Sequence, residues 1–487
     1  MNLREVIGRL TSESLVYGLG QAGGRLVQVA LVPVLTRVFT PEAYGVVDLV
    51  MLVAAVVSLF AVGGMDAALA RFFYEAPDRE ARRALAATSA AHRLVTGTLL
   101  GALLVLLAAP LSELVLGSPD YAKYVRILGA TLPFTALYLF ANEALRVTFQ
   151  PWKYIALNAL NMLLVGGLTL WFVLGLRASV AGVFYAKLAG DAAAAAAGLV
   201  LLRHTLARRG SWADLRRMLR YGAPLVPVAL TYAVLTYTDR QVLLRFASLE
   251  EVGVYAVAVK GAAVVLLAVT AFQLAWGPMA FAAAGDPDHG RLYARVLTLY
   301  VSAGSALALG VSLFAPEALR LFVPAAYWGA AAPAALLAFA GVAHGAYYIA
   351  ALGVNLEQKN QWLIVTTGAA ALLTVGLALA LVRPWGGVGV AAASLGGFAF
   401  STVALYRVSQ RLRPFPYRGR RALAVFAVAL GLALAGWQLP VGGAGWLAKG
   451  ALWAGFVAGA AWLAARPGTA HPAAAGPAPA GPAPAGG

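Results

Sequence analysis

Apolar segments of about 20 residues alternate with short polar connections along the whole chain, which is the repeat that an α-helical membrane protein requires. Six fall near 15–35, 45–64, 86–109, 124–141, 154–174 and 180–202. Six more lie near 221–246, 253–276, 292–314, 333–356, 362–382 and 388–406, and a last pair at 422–439 and 446–465. The pattern predicts an all-α polytopic membrane protein with about 14 transmembrane helices.

Polar residues inside these segments recur at helical spacing. Gln21, Arg25 and Gln28 stand at i, i+4 and i+7 on the first segment. Tyr154, Asn158 and Asn161 share a stripe on the fifth, and His344, Tyr348 and Asn355 share one on the tenth. In a membrane such a stripe faces the bundle interior, where it either joins helices by hydrogen bonds or lines a cavity. Charges at depth add Arg93, Lys187, Asp239, Arg240 and Lys260, the last about 10 Å in from its helix end at 1.5 Å per residue. Two of these have plainer readings or constraints. Lys187 and Asp191 have the i, i+4 spacing of an intrahelical ion pair. Asp239 and Arg240 are adjacent, so they are expected to face apart and to find partners on other helices. A lone intramembrane His344 is more often a hydrogen-bonding residue than a metal ligand.

Half of the chain repeats. Leu35-Thr-Arg37-Val-Phe-Thr40-Pro-Glu42-Ala-Tyr-Gly45-Val46 aligns with Leu243-Leu-Arg245-Phe-Ala-Ser248-Leu-Glu250-Glu-Val-Gly253-Val254 at an offset of 208. Pro110 with Tyr121 aligns with Pro316 with Tyr327 at an offset of 206. Two anchors at nearly one offset imply a duplicated unit of six helices, in the same orientation in both copies, as parallel repeats are. The organisation is then a cytoplasmic amphipathic lead-in (1–13), an N-lobe (14–202), a basic linker (203–220), a C-lobe (221–410), two further helices (411–465) and an Ala/Pro/Gly tail expected to be disordered (466–487). Glu42, Gly45, Glu250 and Gly253 read as structural, and Arg37 and Arg245 as outer-end residues that pair with nearby acids.

Composition narrows the class. The chain is 61% hydrophobic and only 12% charged, against about 25% charged in soluble proteins. Its net charge of +17 is therefore read as basic cytoplasmic loops and not as a nucleic-acid surface. Lys and Arg concentrate on one side of the predicted topology, notably in 203–220 and 407–421, which places both termini in the cytoplasm. The absence of cysteine removes disulfides and thiolate chemistry. No phosphate-binding Gly-Lys-[Ser/Thr] loop, HExxH zinc motif or GxSxG elbow is present, which argues against an enzyme.

Leu35-Thr-Arg-x-Phe-Thr-Pro-Glu-x-Tyr-Gly45, followed by Tyr221-Gly-x-Pro-Leu225, Thr238-Asp-Arg240 and Glu250-Glu-Val-Gly-Val-Tyr255, resembles the polysaccharide or O-antigen flippases of the multidrug/oligosaccharidyl-lipid/polysaccharide exporter superfamily. The resemblance spans about residues 10–410. It implies an undecaprenyl-pyrophosphate-linked oligosaccharide as cargo, moved across a bacterial or archaeal plasma membrane, with glycan-assembly proteins as candidate partners; the oligomeric state stays open, a monomer being compatible. The extra helix pair resembles the fourteen-helix flippases of the peptidoglycan precursor instead. A surplus of buried cations over anions favours a pyrophosphate, with Arg25 and Lys260 as first contacts and Arg240, Lys187 and Arg93 behind them. Gln21, Gln28, Asp239, Asn158 and His344 complete the expected polar lining. No cofactor or metal is expected, and a coupling proton or sodium ion stays open. A cation-coupled multidrug exporter of the same superfamily would instead rest on Asp239.

Overall fold

The computed structural model describes residues 23–24, 26–207, 210–283 and 289–465, which form helices and short connections with no strand among them. The N-lobe holds α1 (Leu26–Val38), α2 (Pro41–Val62), α3 (Met65–Glu75), α4 (Arg79–Leu106), α5 (Ala108–Leu116), α6 (Ala122–Val147), α7 (Pro151–Leu170) and α8 (Ser179–Leu201). The linker carries α9 (Trp212–Gly222). The C-lobe holds α10 (Leu225–Phe246), α11 (Leu249–Ala282), α12 (His289–Phe322), α13 (Ala331–Ala350), α14 (Leu352–Leu356) and α15 (Gln361–Leu412), followed by α16 (Gly419–Gly436) and α17 (Ala444–Ala465). Among the described residues ten helical spans are long and apolar enough to cross a membrane, and this marks a multi-pass membrane protein. The amphipathic lead-in and the low-complexity tail lie outside the described residues.

The duplicated motif is a helix start. Thr40 Oγ1 accepts from the Ala43 N–H at 3.3 Å and begins α2. Ser248 Oγ accepts from the Glu251 N–H at 3.1 Å and begins α11. Both caps satisfy an orphan donor of the first turn, and an acid follows in each. Five residues beyond each cap stands a glycine, and there the two lobes cross. A Cβ on Gly45 would strike the Leu249 carbonyl, and one on Gly253 would strike the Pro41 carbonyl. Pro41 and Leu249 are themselves equivalent at the offset of 208, so the contact is self-complementary, as in a two-fold dimer. In lipid, helix association rests on close packing of this kind, for which small residues are needed.

The cores follow the same geometry. One apolar core runs through both lobes at the crossing end, from Leu35, Leu49 and Phe184 to Leu243, Tyr255 and Val390. At the opposite, Arg-rich end each lobe has its own core: Met65, Leu69, Phe140 and Met218 on one side, Trp276, Tyr293 and Ile349 on the other. Among the described residues the lobes share a core at one end and have separate cores at the other.

Several local features depart from the hydropathy reading. The stretch after α2, expected as a loop, is the helix α3, set off by Gly63 and Gly64 at φ 57° and 71°. Positive φ is available there because glycine lacks a Cβ. The eleventh and twelfth segments hold as two helices: α15 doubles back at Gly386, φ 51° and ψ −130°, so that Gly396 and Gly397 of its second half lie against Leu377 and Thr374 of its first. Its following Gly387 N–H donates to Glu251 Oε1 at 2.6 Å. Residues 315–322, expected outside a span, continue α12 with Pro316 inside it. Trp171–Gly175 closes α7 as a π turn.

Candidate functional site

The crossing end is sealed by contacts between lobes. The Tyr327 hydroxyl donates to the Phe39 carbonyl at 2.8 Å, and its ring meets Tyr44 edge-on at 6.0 Å between centroids. Arg245 donates to the Leu114 carbonyl at 2.9 Å. It was expected to pair with an acid; it takes a free carbonyl at the end of α5 instead. Gly45 leads along α2 to Asp48 one turn further in. There Arg240 reaches across from α10, Nε to Asp48 Oδ2 at 3.2 Å.

Arg240 also binds its own neighbour. Its Nη1 lies 2.8 Å from both Asp239 oxygens and 3.1 Å from the Thr236 carbonyl. This corrects the expectation that adjacent Asp239 and Arg240 face apart. The rule for helix neighbours concerns Cβ directions, and the long Arg stem folds back past it. Asp239 Oδ2 accepts from the Tyr255 hydroxyl at 2.9 Å, and the guanidinium sits 5.6 Å from the Tyr255 ring centroid. The result is a buried Asp48–Arg240–Asp239–Tyr255 network that ties α2 to α10 and α11. From the sequence Asp48 reads as a candidate anion near a helix end, without a partner, and Tyr255 is not marked at all; no local periodicity connects either to Arg240.

Lys260 lies two turns inside Gly253 on α11. Its Nζ donates to Gln28 Oε1 on α1 at 2.9 Å, again across the lobes. Both side chains keep solvent-accessible surface. Among the described residues no carboxylate lies within ion-pair distance of Lys260. Gln21 and Arg25, which precede Gln28 on the same stripe, lie outside the described residues.

The other candidates fall inside single lobes. Lys187 pairs with Asp191 at 2.7 Å, and Asp191 also accepts from Thr135 at 2.5 Å and Asn161 at 3.0 Å. The Asn158 amide donates to Asn142 at 2.5 Å and its oxygen accepts from Tyr138 at 2.8 Å. Arg93 is 1% exposed, with Nε and one Nη lacking a hydrogen-bond partner. Asp66 and Glu143 are the charges that act on it. His344 is buried against Phe398, with its Nε2 3.4 Å from the Tyr348 hydroxyl. Thus two of the expected cavity cations, Arg240 and Lys187, are neutralised by carboxylates. Among the described residues no group of three or more His, Asp or Glu converges as a metal site. What the arrangement offers is a cross-lobe cation, Lys260, held by an amide and not by a carboxylate, below a closed crossing.

The helical pair after the duplicated unit also carries a charge that hydropathy hid. Lys449 on α17 is 1% exposed and donates to Glu317 Oε1 on α12 at 2.5 Å. Trp453 Nε1 donates to the Ala306 carbonyl at 2.8 Å, one helical face further along.

The fold has solved counterparts. The structure titled "Lipid II flippase MurJ, inward closed conformation" is similar with a TM-score of 0.71, at 12% identity, over 92% of this chain and 98% of that one. An inward-facing multidrug resistance MATE family transporter of the MOP superfamily gives 0.62 at 17% identity, over 84% and 94%. Its outward-facing counterpart gives 0.59 at 18% identity, over 84% and 96%. A search of curated proteins returned no sequence match. A family model described as "Polysaccharide biosynthesis protein" matches residues 34–333, a stretch that begins just before the first copy of the duplicated motif and contains the whole second copy. With more than half of its length matched, the chain belongs to that polysaccharide biosynthesis family, and it folds as the MOP-superfamily transporters do.

Proposed function

We propose that the protein is a flippase for undecaprenyl-pyrophosphate-linked oligosaccharide, an O-antigen, capsular or other polysaccharide repeat unit. It moves the headgroup across the plasma membrane by alternating access between the lobes, with the prenyl chain left in lipid. The observation that carries this reading is Lys260. It is a cation held between the lobes by an uncharged amide, and a diphosphate can displace Gln28 from it without breaking an ion pair. Near a protein surface a unit charge pair at about 4 Å is worth on the order of 4 kcal/mol. Arg25, on the Gln28 stripe, is the second contact. Arg240 and Lys187 serve structure in this scheme, since removing their carboxylates' partners would leave buried charge.

The test is a flipping assay in proteoliposomes on variants that insert normally. Lys260→Ala is expected to lower transport roughly ten- to hundredfold, the value of a charge-assisted hydrogen bond. Lys260→Arg should keep most of it. Wild-type rates in Lys260→Ala would remove the proposal.

A second cargo shares the same diphosphate chemistry. Similarity of fold to a lipid II flippase over 92% of the chain supports the peptidoglycan precursor as the alternative. Competition between the two lipids in the same assay decides between them. A cation-coupled drug exporter fits less well, because Asp239 has both oxygens engaged by Arg240 and Tyr255.

A further inference from the structure

Away from the crossing, the Arg-rich end of the N-lobe holds an open cavity of about 470 Å³ between the ends of α4, α6, α7 and α8. Its ionisable lining is basic throughout: Arg79, Arg82, Arg83, Lys153 and His204, whose Nε2 accepts from Arg203 at 3.0 Å. None of the five makes a salt bridge with an acid among the described residues. Arg83 is spent on the Leu206 carbonyl at 3.0 Å, which shapes the wall. Arg82 rests 5.6 Å from the Phe73 ring centroid. Lys153 donates to the neutral Gln150 at 2.7 Å.

Backbone dipoles add to these charges. Pro151 opens α7 with no side-chain cap on its free N–H groups, whereas the start of α4 is already capped by the Asp78 carboxylate, which accepts from the Ala81 N–H at 2.7 Å. The uncapped N-terminus of α7 therefore meets the basic cavity, an arrangement that favours anions.

Exposed aromatics adjoin the lining in sequence: Trp152, 75% exposed, precedes Lys153, and Phe149, between the lining residues Thr148 and Gln150, lies 6.1 Å from Tyr74 at the ring centroids. Phe149 holds φ 52° at the end of α6, where glycine would carry no strain. Exposed aromatics next to Lys and Arg are the signature of the membrane–water interface.

We propose that this cavity binds the phosphate of an anionic phospholipid from the basic-side leaflet, with the adjoining aromatics seated among the headgroups. It is a site separate from the cross-lobe cation and does not depend on the cargo assigned there. A phosphodiester accepts from Arg79, Arg82 and Lys153 while its acyl chains lie past Trp152.

The test is binding by native mass spectrometry of the full chain in detergent, with short-chain phosphatidylglycerol, short-chain phosphatidylcholine and inorganic pyrophosphate as probes. Wild type should prefer phosphatidylglycerol to phosphatidylcholine by about a hundredfold, at about fivefold per cation for three cations. Arg79→Ala/Arg82→Ala/Lys153→Ala should lose that preference, and Arg418→Ala/Arg420→Ala, a basic pair in the other cluster, should keep it. Should the triple variant not fold, Arg82→Gln alone is expected to lose about fivefold. Pyrophosphate displacing the lipid at equal concentration would show a site for soluble anions and overturn the assignment. So would equal binding of the two lipids, or a triple variant that binds as wild type. Because the readout is lipid binding, a failed flipping assay leaves this result intact, and the reverse also holds.

Discussion

At the scale of single residues, the decisive distinction is between the cross-lobe cation that owns carboxylates, Arg240, and Lys260, which among the described residues has none. Arg240 is buried between Asp239 and Asp48. Removing one member of such a group leaves charge stranded in a low-dielectric interior, at a cost of about 3–5 kcal/mol. Arg240→Ala should therefore lower the thermal midpoint in detergent sharply. Arg240→Met with Asp239→Asn should recover part of the loss, because the second change removes a charge left unpaired. A midpoint unchanged in the single variant would show that the network contributes nothing. The sequence displayed these residues as charges at depth but not their partners. Asp48 and Arg240 are 192 positions apart, and no helical period connects such positions. Lys187 was different: its partner Asp191 lies one turn away on the same helix, and local spacing sufficed to suggest it.

At the scale of helices, the repeated motif was legible because both copies solve one local problem. Each needs a capped helix start and a glycine one turn later where a backbone passes, and both demands are written in adjacent residues. The docking of α17 was not legible. Its 22 residues read as a lipid-facing span, yet Lys449 is buried against Glu317 on α12, 132 positions earlier. From hydropathy Glu317 falls in the outer connection 315–332; the helix continues through it, with Pro316 inside. Gly436 and Trp453 hold α16 and α17 on the same helix, against Leu313 and Gly310. Lys449→Met should release α17 through the unpaired Glu317, seen as new protease cleavage between α16 and α17, around residues 437–443. Lys449→Met with Glu317→Leu should restore resistance, since an apolar pair of similar volume is often neutral or better. Cleavage equal in both variants would show that the ion pair does not fix this helix.

At the scale of the whole molecule, alternating access requires that the end with the shared core come apart. The contact at Gly45 and Gly253 is backbone against backbone, so an added side chain cannot be relieved by a change of rotamer. Overpacking of this kind costs about 1–3 kcal/mol. It penalises only the state in which the helices cross, and a two-state equilibrium would move by roughly 5- to 150-fold toward the separated state. The chain has no cysteine, so a single introduced thiol reports on access cleanly. Gln28→Cys sits between the lobes next to Lys260. With the native glycines, a membrane-impermeant maleimide added from the crossing side should leave it unlabelled. With Gly253→Val it should label at a rate higher by about that factor. A cleavable cross-link between Tyr44→Cys and Tyr327→Cys, whose rings meet at 6.0 Å across the lobes, should then abolish both labelling and transport until it is reduced. Transport that continues through the intact cross-link would mean that the lobes need not part at this end, and the rocking mechanism would be lost with it.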